Sequence, residues 1–226
     1  MASAVVAAGG AGDRLGAGMP KALAPLAGRP MISWCLEALE GAERVLGVVI
    51  AAPIGREGEL EAIAAEVLAG TRWAVVTGGE TRSESVANAI ASLEASSEVL
   101  VHDAARPLAK PELFDRCLER LAHWRCDGVV AAARAVDTIK EADAGGRVIA
   151  TLERASLWVV QTPQAFQPDP LLKALGEGDL SRATDDAQLV EAVGGDIRVV
   201  EAPRHNLKVT NEQDLRIAEL LLADRA

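Results

Sequence analysis

An α/β fold of Rossmann-like type, with a mostly parallel sheet and helices on both faces, is predicted by three observations. Short apolar runs alternate along the chain with segments whose apolar residues recur at three- and four-residue intervals. The runs are apolar throughout instead of at every second residue, the pattern of strands covered on both faces. The first run leads directly into a glycine-dense loop, an arrangement that presents the carboxyl end of a strand to a ligand.

The first strand and loop occupy residues 4–21. Gly9, Gly10, Gly12 and Gly16 let backbone N–H groups approach a ligand closely, and Arg14 and Lys21 add positive charge, so the stretch reads as a phosphate cradle. It matches neither G-x-x-x-x-G-K-[ST] nor the dinucleotide fingerprint, and a purely structural tight turn is an equal alternative on these residues alone. Pro30 stands as a first helical residue, followed by Ile32, Leu36 and Leu39 on one face. Val45 to Ala51 is a strand ended by Pro53, and Leu60, Ile63, Ala64 and Val67 mark a helix. Trp73 to Val76, Val99 to Val101 and Gly128 to Ala133 are further strands. Helices between them carry Val86, Ile90 and Leu93, then Phe114, Cys117, Leu118 and Leu121.

From Arg134 to Glu153 the rhythm breaks. Val136 to Glu141 and Arg147 to Leu152 read as two strands joined by Asp-Ala-Gly-Gly, a hairpin arm. Because a two-stranded ribbon is not stable alone in water, the arm at about 134–153 is expected to pack on a second copy of the chain. Leu157 to Val160 and Ile197 to Val200 return as strands, Leu189, Val190 and Val193 mark a helix, and Asn206 to Thr210 reads as a short strand. Leu215, Ala218 and Leu222 mark the last helix. With no linker or repeat visible, residues 1–226 read as one domain.

Composition narrows the function. Half of the 226 residues are apolar and a quarter charged, enough for a sizeable core. The net charge of −10, with Lys and Arg scattered, argues against nucleic acid and against an anionic membrane surface. Small phosphorylated ligands remain compatible, since a few local cations suffice. Cys35, Cys117 and Cys126 lack C-x-x-C spacing and read as buried thiols. The first apolar run has no basic leader and is too short to span a membrane, so a cytoplasmic protein is expected.

Polar clusters follow the strands. Gly78 to Ser85 turns into a helix, equally well a ligand loop or a cap with Thr81 or Ser83. Asp103 in His102 to Pro107 reads as a Mg²⁺ ligand or as the partner of Arg106 in an ion pair. Gln161-Thr162-Pro163-Gln164 follows a strand, Thr184-Asp185-Asp186 opens a helix with Thr184 as its cap, and Lys208 either snorkels or reaches an anion. His102, His123 and His205 have no recognisable nucleophile partner. Glycine amides, Arg, Lys and one carboxylate suit phosphoryl or nucleotidyl transfer by positioning and charge neutralisation.

Together these stretches, A-A-G-G-A-G-D-R-L-G with M-P-K, G-G-E-T-R-S-E-S-V, L-V-H-D-A-A-R-P, D-T-I-K, Q-T-P-Q, T-D-D and L-K-V-T, resemble the 2-C-methyl-D-erythritol 4-phosphate cytidylyltransferases over nearly the whole chain. The resemblance implies a fold of nucleotide-diphospho-sugar transferase type and a Mg²⁺-dependent homodimer. Its reaction would be CTP plus methylerythritol phosphate giving 4-diphosphocytidyl-2-C-methyl-D-erythritol and pyrophosphate. It further implies that Arg14 and Lys21 hold the triphosphate, that Asp103 ligates the metal, and that Ala8, Gly9, Gly10, Gly12, Gly79, Glu80, Ser85 and Lys208 bind the nucleotide. Arg106, Thr162 and Thr184 would contact the acceptor phosphate, with Thr138 and Arg154 supplied by the other subunit. Glu80 stands where the family often has Asp. A ribitol 5-phosphate cytidylyltransferase and a non-catalytic nucleotide-binding module are the other readings, the first separated only by the acceptor site.

Overall fold

The computed structural model describes residues 1–10, 19–93, 98–181 and 183–224. The elements are β1 (Ala2–Ala7), β2 (Pro25–Leu26), β3 (Arg29–Pro30), α1 (Met31–Glu40), β4 (Val45–Ala52), α2 (Glu57–Val67), β5 (Arg72–Thr77), α3 (Arg82–Ala91) and β6 (Glu98–Asp103). After them come α4 (Pro111–Trp124), β7 (Gly128–Arg134), β8 (Lys140–Ala142), β9 (Val148–Thr151), β10 (Trp158–Phe166), α5 (Pro168–Glu177), α6 (Asp186–Ala192), β11 (Ile197–Glu201) and α7 (Glu212–Ala223).

Seven strands form one sheet in the order β11-β7-β10-β6-β1-β4-β5. All of its pairings are parallel except those of β10, which runs against both β6 and β7. Burial on both faces explains the unbroken apolar runs. In β4, Val48, Ile50 and Ala52 join the core under α1, α2 and α4, while Val49 and Ala51 join the core under α3, α5 and α6. A third cluster packs α7 on α1 through Met31, Ala218 and Leu222. The three cysteines are free and buried, as expected.

The chain leaves β1 for β4 and β5 on one side and then crosses to β6 on the other. The carboxyl ends of β1 and β6 therefore open a crevice, where Ala7 pairs with Asp103. Open α/β sheets bind ligands at such a reversal.

Several boundaries differ from the sequence reading. Pro30 precedes α1, because it pairs with Pro25 in a two-residue ladder before the helix starts at Met31. Gln161 to Gln164 lies inside β10 and not after it; the strand passes through a cis Thr162–Pro163 bond, and its ladder to β7 is irregular between Val160 and Gln164. Residues 206–210 form no strand: Val209 N–H reaches Ala105 O at 2.8 Å, and the Asn206 amide bonds Gln161 and Thr162. Helix α5 has no counterpart in the reading, since Pro168 and Pro170 open it and only Leu171 and Ala174 are buried. The arm exists, with strands shorter than expected. Asp143 Oδ1 accepts from Gly145 and Arg147 N–H to close its turn, and residues 136–149 are all exposed.

Candidate active site

Two cavities open at the crevice. The larger, about 310 Å³, is lined by Ala7, Ala8, Gly9, Gly10, Lys21, Ala22, Glu80, Thr81, Arg82, Ser85, Asp103, Ala104, Ala105 and Lys208. The second, about 230 Å³, is lined by Arg82, Asp103, Arg106, Val160, Gln161, Thr162, Gln164, Thr184, Asp185 and Lys208. Arg82, Asp103 and Lys208 belong to both, so one charged wall separates two chambers.

The larger chamber is shaped by backbone. Lys21 N–H donates to Gly10 O at 3.1 Å and draws together the two ends of the stretch between them. A Cβ on Gly79 would lie only 2.3 Å from Glu84 Cβ, so α3 seats against that loop only where glycine stands, and one on Gly9 would crowd Ser85 Oγ at 3.1 Å. Thr81 caps α3 and forms a reciprocal capping box with Glu84, which satisfies helix N–H groups internally. Ser85 Oγ accepts from Gly79 N–H at 3.0 Å and donates to Thr81 O at 2.9 Å. With its one proton engaged, Ser85 holds the loop in shape. Lys21 is buried beside this chamber, and its charge also reaches Asp214. Burial alone would raise the Asp214 carboxyl, but hydrogen bonds from Thr210 and Asn211, with Lys21, bring it below the usual range.

The shared wall is an ionic network. Arg82 Nε donates to Asp103 Oδ1 at 2.8 Å and its Nη1 to Asp186 Oδ2 at 2.7 Å. Lys208 Nζ sits 2.7 Å from Asp103 Oδ2, and Arg106 Nε stands 3.9 Å from the same oxygen. Burial opposes the Asp103 charge, yet Arg82 and Lys208 hold its carboxyl well below the usual range. Asp186 goes the other way. Burial raises it, and one guanidinium contact offsets only part of the cost because its Oδ1 has no partner among the described residues. The ion pair of Asp103 with Arg106 expected from sequence is present but loose; Arg82 and Lys208 are the close partners of Asp103.

Behind the second chamber lies a buried chain of hydrogen bonds. Asp103 N–H donates to Thr162 Oγ1 at 3.0 Å, Thr162 Oγ1 lies 3.0 Å from His102 Nδ1, and His102 Nε2 lies 3.3 Å from Arg106 O. A carbonyl can only accept, so Nε2 carries the proton and Thr162 donates to Nδ1. Burial lowers the His102 pKa to about 4, consistent with a neutral ring. Arg106 in turn donates to Asn206 O at 2.9 Å. The start of α6 is fixed by Asp185, which accepts from Gln188 N–H as N-cap and from Gln164 Nε2 at 2.9 Å. Thr184, expected as the cap, instead donates to Gln188 Oε1 at 3.0 Å. Asp185 wins because its side chain meets the N–H three residues on.

Of the residues singled out from sequence, Ala8, Gly9, Gly10, Lys21, Glu80, Ser85, Asp103 and Lys208 line the larger chamber, with Gly79 bonded beside it. Arg106, Thr162 and Thr184 line the second. Gly12 and Arg14 lie outside the described residues. Thr138 and Arg154 sit on and beside the exposed arm and line neither chamber; Arg154 Nη1 donates to Val136 O at 2.7 Å. Arg82, Asp186 and Gln164 were not singled out. Each stands inside a quoted cluster, and only the fold shows that the three clusters meet. No group of three metal-ligating side chains occurs among the described residues, and none of their helices is long and apolar enough to cross a membrane.

Known proteins resemble this chain over nearly its whole length. Residues 2–224 match the family model of IspD, 2-C-methyl-D-erythritol 4-phosphate cytidylyltransferase. A relative of that name from Synechococcus sp. is 41% identical over 224 residues, covering 98% of this chain and 96% of its own. The solved 2-C-methyl-D-erythritol 4-phosphate cytidylyltransferase of Thermus thermophilus is 33% identical with a TM-score of 0.76, over 98% of each chain. The 4-diphosphocytidyl-2C-methyl-D-erythritol synthase of Anaerococcus prevotii gives a TM-score of 0.85 at 26% identity, over 99% of this chain and 98% of that one.

Proposed function

The chain belongs to the 2-C-methyl-D-erythritol 4-phosphate cytidylyltransferase family, a family of enzymes that transfer a cytidylyl group, and from that premise we propose that it joins CTP to 2-C-methyl-D-erythritol 4-phosphate and releases pyrophosphate. The observation that carries this reading is the pair of chambers sharing Arg82, Asp103 and Lys208. CTP occupies the larger chamber and the polyol phosphate the smaller, so that the acceptor phosphate faces the α-phosphorus across the shared wall. An acceptor phosphate oxygen attacks that phosphorus, a P–O bond forms, and the bond to the bridging oxygen breaks with its electron pair leaving on pyrophosphate. Lys21, with Arg14, holds the triphosphate and stabilises charge gathering on the α-phosphoryl oxygens. Arg106 orients the acceptor phosphate.

Mg²⁺ belongs to the proposal as well. Asp103 fits a single protein ligand of a metal–triphosphate, since Mg²⁺ takes one or two carboxylates and completes its shell with phosphate oxygens and water. Both carboxylate oxygens already face cations, Arg82 at Oδ1 and Lys208 at Oδ2, and the 39%-exposed Lys208 side chain would turn to a phosphate oxygen for the metal to reach Oδ2. When bound, the ion supplies charge neutralisation along the triphosphate. We also propose that two chains associate through the arm, whose exposed Val136, Ile139, Val148, Ile149 and Leu152 need cover.

Pyrophosphate release with Mg²⁺ tests the reading directly. CTP with methylerythritol phosphate should turn over, ribitol 5-phosphate should serve poorly, and UTP should fall well behind CTP, because an unpaired buried polar group typically costs about 1–3 kcal/mol. Equal use of UTP and CTP, or a preference for ribitol phosphate, would overturn it.

A further inference from the structure

Arg82 stands in the wall between the chambers, and its second partner, Asp186, lines neither of them. Asp186 is fully buried at the first position of α6, two residues after Thr184 of the acceptor chamber. Asp103, the other partner, ends β6 against the nucleotide chamber. The guanidinium therefore bridges the end of β6, which both chambers share, and the start of α6 beside the acceptor chamber, by 2.8 and 2.7 Å contacts. Its third nitrogen, Nη2, and Asp186 Oδ1 are buried with no hydrogen-bond partner among the described residues. The Lys208 side chain is 39% exposed and held at one carboxylate, whereas that of Arg82 is 24% exposed and paired with two. A buried pair with unpartnered atoms is a weak source of stability, so stability does not account for its presence at this wall.

We propose that Arg82 and Asp186 form a strut that couples the two subsites, acting as positioning residues through Asp103 and Thr184. A planar guanidinium transmits displacement between its partners, as a flexible ammonium does not. When an acceptor phosphate settles against Thr184, the start of α6 holds Arg82, and Arg82 holds the Asp103 carboxylate in the orientation the nucleotide needs. Nucleotide binding then favours acceptor binding by the same factor, since coupling between two equilibria is reciprocal. The inference rests on the function proposed above.

The test is a binding cycle on the full-length protein with Mg²⁺, using the unreactive α,β-methylene analogue of CTP and methylerythritol phosphate as the two probes. In the wild type each should raise the affinity of the other about fivefold or more, within the usual range of coupling. In Asp186→Asn the factor should fall close to one, while the nucleotide analogue alone binds within about threefold of the wild type, in keeping with a residue that touches neither probe. Arg82→Lys should also lose the factor; because Arg82 lines both chambers its affinity for each single probe is left open, and only the coupling factor, in which single-probe effects cancel, is read, which keeps the test decisive where the buried Asn variant fails to fold. A wild-type factor retained in either folded variant would overturn the strut, as would independent binding in the wild type. Failure of methylerythritol phosphate to bind the wild type at all would overturn the functional reading and the strut with it.

Discussion

His102 shows how much a single buried side chain decides here. Its ring accepts from Thr162, donates to Arg106 O and meets Phe114 edge-on at 5.0 Å, so it fixes one residue from each side of the acceptor chamber. Such an imidazole has a pH signature. Its pKa falls from 6.5 to about 4 on folding, so the unfolded chain takes up the proton first. The stability contributed by the neutral ring is present above about pH 6.5 and is lost as pH falls towards 4. Between pH 7 and pH 5 the loss should be about 2 kcal/mol. Urea denaturation at both values should show this loss in the wild type and a clearly smaller one in His102→Gln. An equal loss in the two proteins would assign the acid sensitivity to other groups. From sequence, His102 could only be described as lacking a nucleophile partner, because Thr162 lies 60 residues away.

The arm of β8 and β9 is the element to which the proposed association of two chains gives a purpose. Its ladder contains only the pairs of Lys140 with Thr151, Glu141 with Ala150, and Ala142 with Val148, and residues 136–149 are exposed. If the arm completes a neighbour's site, Lys21→Ala and Arg154→Ala homodimers should each be nearly inactive. A mixed dimer then keeps one site with its own lysine and an intact partner arm. Random reassortment makes about half the dimers mixed, so roughly a quarter of wild-type activity should return. Exchange of subunits without recovered activity would confine Arg154 to its own chain. The sequence announced this arm through a break in apolar rhythm, as it announced β1, β4, β6 and β7 through unbroken Val, Ile and Ala runs. It showed the start of β10 at Leu157 to Val160 but hid its second half, whose buried Gln161, Thr162 and Gln164 look like loop residues until their bonds to Asn206, Asp103 and Asp185 are seen. It hid α5 behind two prolines, and it made residues 206–210 look like a strand because Leu207 and Val209 are apolar on either side of Lys208.

At the scale of the whole molecule, a chain of net charge −10 gathers three cations, Arg82, Arg106 and Lys208, around two carboxylates, Asp103 and Asp186, at the reversal point of its sheet. Local charge, not overall charge, prepares the site for phosphate. Of the residues proposed to hold phosphate, Lys21 and Arg106 were legible in sequence because they follow the strands β1 and β6. Their division into two chambers was not, because it depends on β10 running antiparallel between β6 and β7 and carrying Thr162 to Asp103. The measurement that tests this division most directly is equilibrium binding of the unreactive CTP analogue, beside steady-state turnover, in Lys21→Ala and Arg106→Ala. Loss of one contact to a charged group typically costs about 1.5–3 kcal/mol, or roughly 10- to 100-fold. Lys21→Ala should weaken the analogue by about that factor. Arg106→Ala should bind it within about threefold of the wild type, yet need roughly 10- to 100-fold more methylerythritol phosphate for half-maximal turnover. Equal loss of nucleotide affinity in both variants would contradict two subsites meeting at Asp103.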